Sequence, residues 1–282
     1  MNASMKSGWE ADLQLGFVRE GNRSVLRDKR HRGPLVVQKA LYPEGDAVCH
    51  SIIVHPPGGI AGGDRIAISA KLDAGAHALI TTPGATRWYR CEDSSASQSV
   101  KLSAAPGAVI EWLPQETIYF DRTRARNALT VELVPDASFI GWEIACLGRQ
   151  RAGEAFDHGD VRQVMRINVA GRLRWCEQGW LRAGDALLDS PLGLAGDHVF
   201  ATFVVRSPRC DEVQGVVLRD ACREVPLPAG LQAGVSLIDG TLVGRVSGNS
   251  AETVGALCTE WWKIVRQPVC GLAAVPPRIW RT

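Results

Sequence analysis

Apolar and polar residues alternate with a period of two along most of this 282-residue chain. From Arg65 to Leu72, every second residue is apolar, which is the spacing of a strand with one buried face. Similar runs are separated by Gly, Pro, Asp and Asn, the residues that turns require. The pattern predicts a mainly β protein with strands at 65–72, 76–82, 97–102, 109–113, 129–134, 139–147, 161–169, 172–177, 200–205 and 213–218.

A weak repeat runs through these strands. Two-residue turns, each placed between two strands, recur at intervals of about 30 residues, a spacing within the range of solenoid repeats. The turns are Ala74–Gly75, Pro106–Gly107, Pro135–Asp136 and Ala170–Gly171. The repeat predicts stacked hairpins or sheets that share one core, in a β-helix-like or sandwich-like arrangement.

One or two helices are expected, one of them near the C-terminus. Between Ala251 and Arg266, apolar residues follow the three-and-four spacing of an amphipathic helix. Pro268 is expected to end this helix because proline cannot donate the backbone hydrogen bond. No linker composition interrupts the chain, so residues 1–282 are expected to form a single domain.

Composition excludes several classes of protein. The net charge of +2 gives no strong field for nucleic acid, and no apolar run reaches the roughly 20 residues of a membrane helix. The N-terminus lacks the pattern of a secretion signal. The eight cysteines contain no Cys-x-x-Cys pair, which favours free thiols in a reducing cytoplasm over a zinc site.

A glycine-rich block lies between His55 and Asp64. It lacks the Gly-Lys-Ser/Thr ending of a phosphate-binding loop and opens a strand rather than a helix. The block is therefore interpreted as a structural turn. His55 is either a core side chain or a ligand, and Asp64 either bonds turn amides or has a functional role. The structural motif comprises His55, Pro56, Pro57, Gly58, Gly59, Gly62 and Gly63.

Three acids, Glu111, Glu143 and Glu177, occur in or beside tryptophan-containing strands of successive repeats. They either face solvent on the polar side of a sheet or line a shared acidic path. A carboxylate pair, Asp64 with Glu111 or Glu143, would also suit a β-rich hydrolase. The remaining histidines show no spacing typical of a tight metal cage.

Several blocks of this sequence resemble the UreD (UreH) family of urease accessory proteins. The segment VHPPGGIAGGD at 54–64 resembles the most characteristic motif of that family. Ala61 is a mild departure, because a bulkier aliphatic residue is more usual there. Matching blocks run in order over nearly the whole chain; they are GPLVVQKALYPEG at 33–45, TTPGAT at 81–86, EWLPQE at 111–116 and PRIW at 277–280.

The resemblance implies a mostly β assembly factor without catalytic turnover, a single UreD-like domain in the cytoplasm. Members of the family bind apo-urease and the accessory protein UreF, and through UreF they connect to UreG, a nickel-carrying GTPase. No tightly bound cofactor is implied, only a transient nickel ion on its way to the urease active site. Asp64, Glu111, Glu143 and Glu177 are the residues expected to serve that transfer. Neither nucleic acid nor a membrane is expected as a partner.

Overall fold

Parallel strands stacked in two facing sheets form the body of the protein. The computed structural model describes residues 8–91 and 94–281, and within them it confirms a mainly β fold of β-solenoid-like stacked coils. The first sheet has seven strands. In spatial order they are β14 (Arg172–Arg182), β13 (Asp160–Val169), β11 (Arg124–Leu133), β8 (Ala96–Ala104), β5 (Arg65–Leu72), β1 (Glu10–Glu20) and β2 (Arg23–Arg32).

The second sheet has ten strands among the described residues. Its main path is β16 (Gln232–Ile238), β17 (Thr241–Gly248), β15 (Val199–Arg206), β12 (Ser138–Leu147), β9 (Val109–Trp112), β6 (His77–Thr81), β4 (Cys49–Val54) and β3 (Val36–Val37). The two short strands β7 (Thr86–Trp88) and β10 (Thr117–Tyr119) lie off this path, and β10 pairs with both β7 and β12.

The predicted turns are the corners of the stack. Three of the four carry the chain from the first sheet to the second, and only Ala170–Gly171 closes an antiparallel hairpin, between β13 and β14. Gly75 and Gly107 adopt positive φ, which glycine reaches without steric cost. The Gly75 N–H donates to the Pro106 carbonyl at 2.9 Å, so successive corners are bonded to each other.

The register aligns equivalent residues of successive coils. Leu13 pairs with Ile68, Ile68 with Val100, and Val100 is followed by Leu129 and Met165 across the first sheet. All five side chains are buried in the core between the two sheets. A second core lies on the outer face of the second sheet, beneath the helices.

The described residues contain three α-helices, α1 (Ala186–Asp189), α2 (Glu212–Arg223) and α3 (Ala251–Cys270), and two short 3₁₀ helices at Gln150–Ala152 and Arg278–Arg281. The predicted strand at 213–218 is wrong, because these residues belong to α2. Asp211 caps this helix by accepting from the Gln214 N–H, and Gly215, Leu218 and Cys222 bury one face at helical spacing.

The C-terminal helix α3 is confirmed, but it does not end at Pro268. The proline sits in the last turn of the helix, where its loss of one hydrogen bond is tolerated. The helix ends instead at Gly271, which has a left-handed conformation and donates its N–H to the Gln267 carbonyl. None of the helices in the described ranges is long and apolar enough to span a bilayer.

Candidate functional site

The glycine block forms a tight turn against β7 and the residue that follows it. Gly58 and Gly63 have positive φ, whereas Gly59 is required for space. A β-carbon on Gly59 would lie 2.5 Å from the Tyr89 ring and 2.9 Å from the Arg87 carbonyl oxygen. One on Gly62 would lie 3.1 Å from the Ser94 carbonyl oxygen, a tight but milder approach.

Asp64 fastens the turn to the start of the described chain. Its two carboxylate oxygens accept hydrogen bonds from the Trp9 and Ala61 N–H groups, both at 2.8 Å. The carboxylate therefore bonds turn amides, as an Asp beside glycines commonly does. Asp64 is also close enough to His55 to raise the pKa of that imidazole, although burial has the larger effect and lowers it.

His55 lines a cavity of about 230 Å³ together with the glycine block. The Nε2 atom of His55 is buried and has no hydrogen-bond partner among the described residues. Buried polar atoms are nearly always paired in native proteins, so an orphaned imidazole nitrogen is unusual. Glu143 lines the same cavity.

A layer of polar side chains crosses the interior between the two sheets. Gln98, Asn127 and Gln163 occupy paired positions on β8, β11 and β13, so they follow one another across the first sheet. Gln98 donates to Asn127 at 3.3 Å, and Gln163 donates to the Tyr119 hydroxyl at 3.0 Å. We call these four residues, with Glu143, the interior polar layer.

Glu143 of β12 is the charged member of this layer. One of its oxygens accepts from the Trp112 indole at 2.9 Å, and the other accepts from the Asn127 amide at 3.0 Å. Burial raises the pKa of Glu143, and these two hydrogen bonds only partly oppose the effect. An ionised Glu143 is therefore held at a cost that a nearby cation would reduce.

Glu177 lies at the other end of the layer, on β14. It lines a larger cavity of about 750 Å³, and Asn127, Gln163 and Glu143 line that cavity as well. One Glu177 oxygen is 3.1 Å from the Arg245 guanidinium. The other is buried and has no hydrogen-bond partner in residues 8–91 and 94–281.

Glu111 of β9 lies elsewhere, on the outer face of the second sheet and beneath α3. It is fully buried and accepts from the His77 ring at 2.7 Å and from the Trp262 indole at 2.6 Å. The Arg266 Nε donates to it at 3.0 Å. Arg266 also reaches Glu44, whose other partner is the His50 ring at 2.6 Å.

We call Glu44, His50, His77, Glu111 and Arg266 the outer cluster. Its electrostatics favour the ionised state of Glu111. Burial would raise the pKa of Glu111, but His77 and Arg266 outweigh it and hold the pKa at about 2. The pKa of Glu44 is lowered as well, because His50 and Arg266 outweigh its burial. The same two carboxylates raise the pKa of Arg266 against the effect of its burial.

The three glutamates therefore do not form one row. Glu111 pairs in register with Ile140, whose side chain belongs to the core on the outer face of the second sheet. Glu143 is three residues after Ile140, and side chains alternate between the two faces of a strand, so Glu143 faces the interior. Glu177 is in the first sheet rather than the second. The interior polar layer brings Glu143 and Glu177 to one cavity and leaves Glu111 on the far side of a strand layer.

Comparison with known proteins finds one family that matches nearly the whole chain. The family model described as "UreD urease accessory protein" matches residues 10–281. A urease accessory protein UreD of Dechloromonas aromatica (strain RCB) is 49% identical over 274 residues, covering 97% of this chain and 95% of that protein. This chain belongs to the UreD family of urease accessory proteins.

Other UreD proteins match over similar lengths. One from Azoarcus sp. (strain BH72) is 48% identical over 275 residues, covering 98% of this chain and 95% of that protein. One from Pseudomonas fluorescens is 46% identical over 276 residues, covering 97% and 95%. Such proteins are named as accessory proteins rather than enzymes. Of the carboxylates considered for a hydrolase, Asp64 bonds turn amides, whereas Glu111 and Glu143 lie on opposite faces of the second sheet.

Sequence reasoning missed the partners of Glu111 in this UreD protein. Arg266 lies on the apolar stripe of α3, four residues after the buried Trp262 and one after the buried Val265. A charged residue at such a position requires a buried partner. The position of Arg266 on an apolar stripe therefore indicated a buried acidic partner, although it did not identify Glu111 or Glu44 as that partner.

Proposed function

We propose that this protein is a scaffold and metallochaperone in urease maturation. It binds apo-urease and UreF, connects to UreG through UreF, and helps to deliver nickel to the urease active site. Membership of the UreD family supports the urease context. The nickel ion is a transient cargo in this proposal, not a resident cofactor.

The interior polar layer carries the proposal. Glu143 borders both cavities. Each cavity is also lined by a residue whose buried ligand atom has no hydrogen-bond partner among the described residues, His55 Nε2 in one and Glu177 Oε2 in the other. An imidazole nitrogen and a carboxylate oxygen are both ligands of nickel. Two orphaned donors on either side of a buried carboxylate are expected of a route that a cation occupies only in passing.

The chemistry of the layer suits transfer rather than storage. Carboxylates, amides and water hold a late divalent ion more weakly than a cage of thiolates and imidazoles. Conduction requires binding that is strong enough to admit the ion and weak enough to release it. Asp64 lies beside His55 and adds negative charge at that end, in addition to its structural hydrogen bonds.

Exposed apolar surface supports a role in docking. Val213 and Val217 on α2 are 78% and 56% exposed, and Val216 beside them is also exposed. A helix that leaves such residues uncovered is typical of an element that binds a protein partner.

We place the assembly in the cytoplasm, where the eight free cysteines of this protein would stay reduced.

Paired variants at Glu143 and Glu177 test the nickel route. The double change Glu143→Gln with Glu177→Gln removes the charge of the layer and preserves the side-chain shape. We expect normal capture of UreF and apo-urease, poor urease activation at limiting nickel, and partial recovery in excess nickel. Glu260→Gln, on the exposed face of α3, is the matched control and should leave activation unchanged.

The outcome of this experiment separates the route from the scaffold. Normal activation of urease by the double variant at limiting nickel, with the complex intact, would refute the interior route. Failure of the unmodified protein to capture UreF or apo-urease would refute the scaffold. Glu111→Gln, tested separately, should lower the stability of the protein more than it changes the nickel dependence of urease activation, because Glu111 is not part of the interior polar layer.

A further inference from the structure

A group of three different metal-ligating side chains lies outside the proposed route. His77, Glu111 and Cys270 each offer one ligand atom, and these atoms lie within 4.8 Å of one another. They come from β6, β9 and the last residue of α3. Each belongs to a different element of the outer layer, so the packing of α3 on the sheet creates the group.

The group is open to solvent on one side. His77 and Cys270 line a surface cavity of about 510 Å³, and the fully buried Glu111 is bonded directly to the His77 ring. Two arginines border the cavity, but each donates to backbone carbonyl groups, Arg19 to Gly21 and Arg209 to Val269. An ion and its water can therefore reach His77 and Cys270 from the surface.

Three carboxylates and three arginines set the charge around the group. Glu44 and Glu111 bring two negative charges, and Arg266, which bonds both of them, brings one positive charge. Asp136 at the cavity adds one negative charge, and Arg19 and Arg209 there add two positive charges, so the three carboxylates and three arginines balance one another. A Cys270 thiolate would then bring one further negative charge, for which a bound cation compensates.

We propose that His77, Glu111 and Cys270 form a surface-accessible site for a late first-row divalent ion, with water as the fourth ligand. Imidazole, thiolate and carboxylate together select Zn²⁺, Ni²⁺ or Co²⁺ over Mg²⁺ and Ca²⁺. Ligands at about 2.0–2.3 Å from a tetrahedral ion are roughly 3.5 Å apart, so the widest pair closes by about 1 Å. Glu111 Oε2 keeps its bonds to Trp262 and Arg266, and Oε1, which accepts from Arg266 Nη2 and the His77 ring, exchanges the His77 bond for the ion.

Binding at this site exchanges a proton for the ion. The Cys270 thiol releases its proton to solvent when sulfur binds the metal. This site and the interior route stand independently, because a strand layer separates Glu111 from Glu143.

Titration of the full-length protein with Co²⁺ tests the site. We expect a thiolate-to-cobalt charge-transfer band in the near ultraviolet, one ion bound per chain, and competition by Zn²⁺. Cys270→Ser should abolish the band and weaken binding at least ten-fold. Cys176→Ser changes an exposed cysteine on β14 and is the matched control, which should retain both.

Folding of each variant is checked by circular dichroism, and Cys270→Ala, which deletes the thiol without adding a hydroxyl, is the second variant. The site is refuted if the unmodified protein shows no charge-transfer band, or if the band persists in both Cys270 variants. Neither result depends on urease activation, so failure of this site and failure of the nickel route are distinguishable.

Discussion

Arg266 and Glu111 form an ion pair in which neither side chain has any exposed surface. The Arg266 Nε lies 3.0 Å from a Glu111 oxygen that the Trp262 indole also approaches, at 2.6 Å. The pair joins the last turns of α3 to the middle of the second sheet. Because both charges are desolvated, removal of one partner leaves the other without compensation.

Arg266→Met should therefore strongly destabilise the fold. We expect the free energy of unfolding to fall by about 3–5 kcal/mol, the usual cost of breaking a buried ion pair. Arg219→Met, at a half-buried position on α2 where the arginine pairs with the exposed Asp220, is the matched control and should change stability by about 0.5 kcal/mol or less. Urea unfolding of both variants measures the difference. Similar losses of stability would contradict a stabilising role for the Arg266–Glu111 ion pair, which we call the Arg266 clamp.

Acid should weaken the protein through Glu111. The folded pKa of about 2 lies below the ordinary value of 4.5, so the ionised carboxylate stabilises the fold above pH 4.5. That contribution is lost as the pH falls from 4.5 towards 2, and linkage puts it at about 3 kcal/mol.

Unfolding midpoints measured at several pH values test this dependence. Glu111→Gln should be less stable than the unmodified protein near neutral pH and should lose less stability on acidification. Glu260→Gln, at an exposed position, should keep the full acid dependence. Parallel curves for the unmodified protein and Glu111→Gln would show that Glu111 does not titrate as described.

Gly59 should tolerate substitution less well than its neighbour Gly62. In Gly59→Val the first added carbon meets the Tyr89 ring and the Arg87 carbonyl, so we expect a loss of about 1–3 kcal/mol. Gly62→Val should cost less, because its nearest contact is 3.1 Å away. Gly84→Val, where a β-carbon meets nothing within 4 Å, is the control for thermal unfolding. Equal costs at Gly59 and Gly84 would contradict the packing account.

Expression alone should give a poorly soluble protein, and expression with UreF should increase the soluble fraction. Val213 and Val217 expose apolar surface on α2, and Trp180 on β14 is 47% exposed. Such surface favours self-association unless a partner covers it. Size-exclusion chromatography of the soluble fraction is the measurement. A monodisperse monomer that UreF does not affect would count against a docking role.

Local patterns were sufficient for the strands and insufficient for the outer cluster. Alternation predicted β5 with the bounds that the structure has, Arg65–Leu72. At 213–218 the clustered valines suggested a strand, but the Asp211 cap and the burial of Leu218 and Cys222 produce a helix. Tertiary packing decided that segment, as it often overrides β-propensity.

The candidate site was only partly visible for a similar reason. Acids near tryptophans indicated Glu111, Glu143 and Glu177, yet the faces on which they lie depend on strand register and on which sheet each strand joins. The orphaned nitrogen of His55 and the bonds of Arg266 arise from residues far apart in the chain. Spacing along one strand carries no information about such contacts.

The order in which the ribosome makes the chain gives the Arg266 clamp a further consequence. Arg266 is 222 residues after Glu44 and 155 after Glu111, so the early coils are synthesised long before their cation. Until α3 emerges, both carboxylates and the outer face of the second sheet remain uncovered. During much of its synthesis, the nascent protein therefore exposes an apolar sheet face that favours aggregation. A chain released from the ribosome before residue 266 would keep that face exposed.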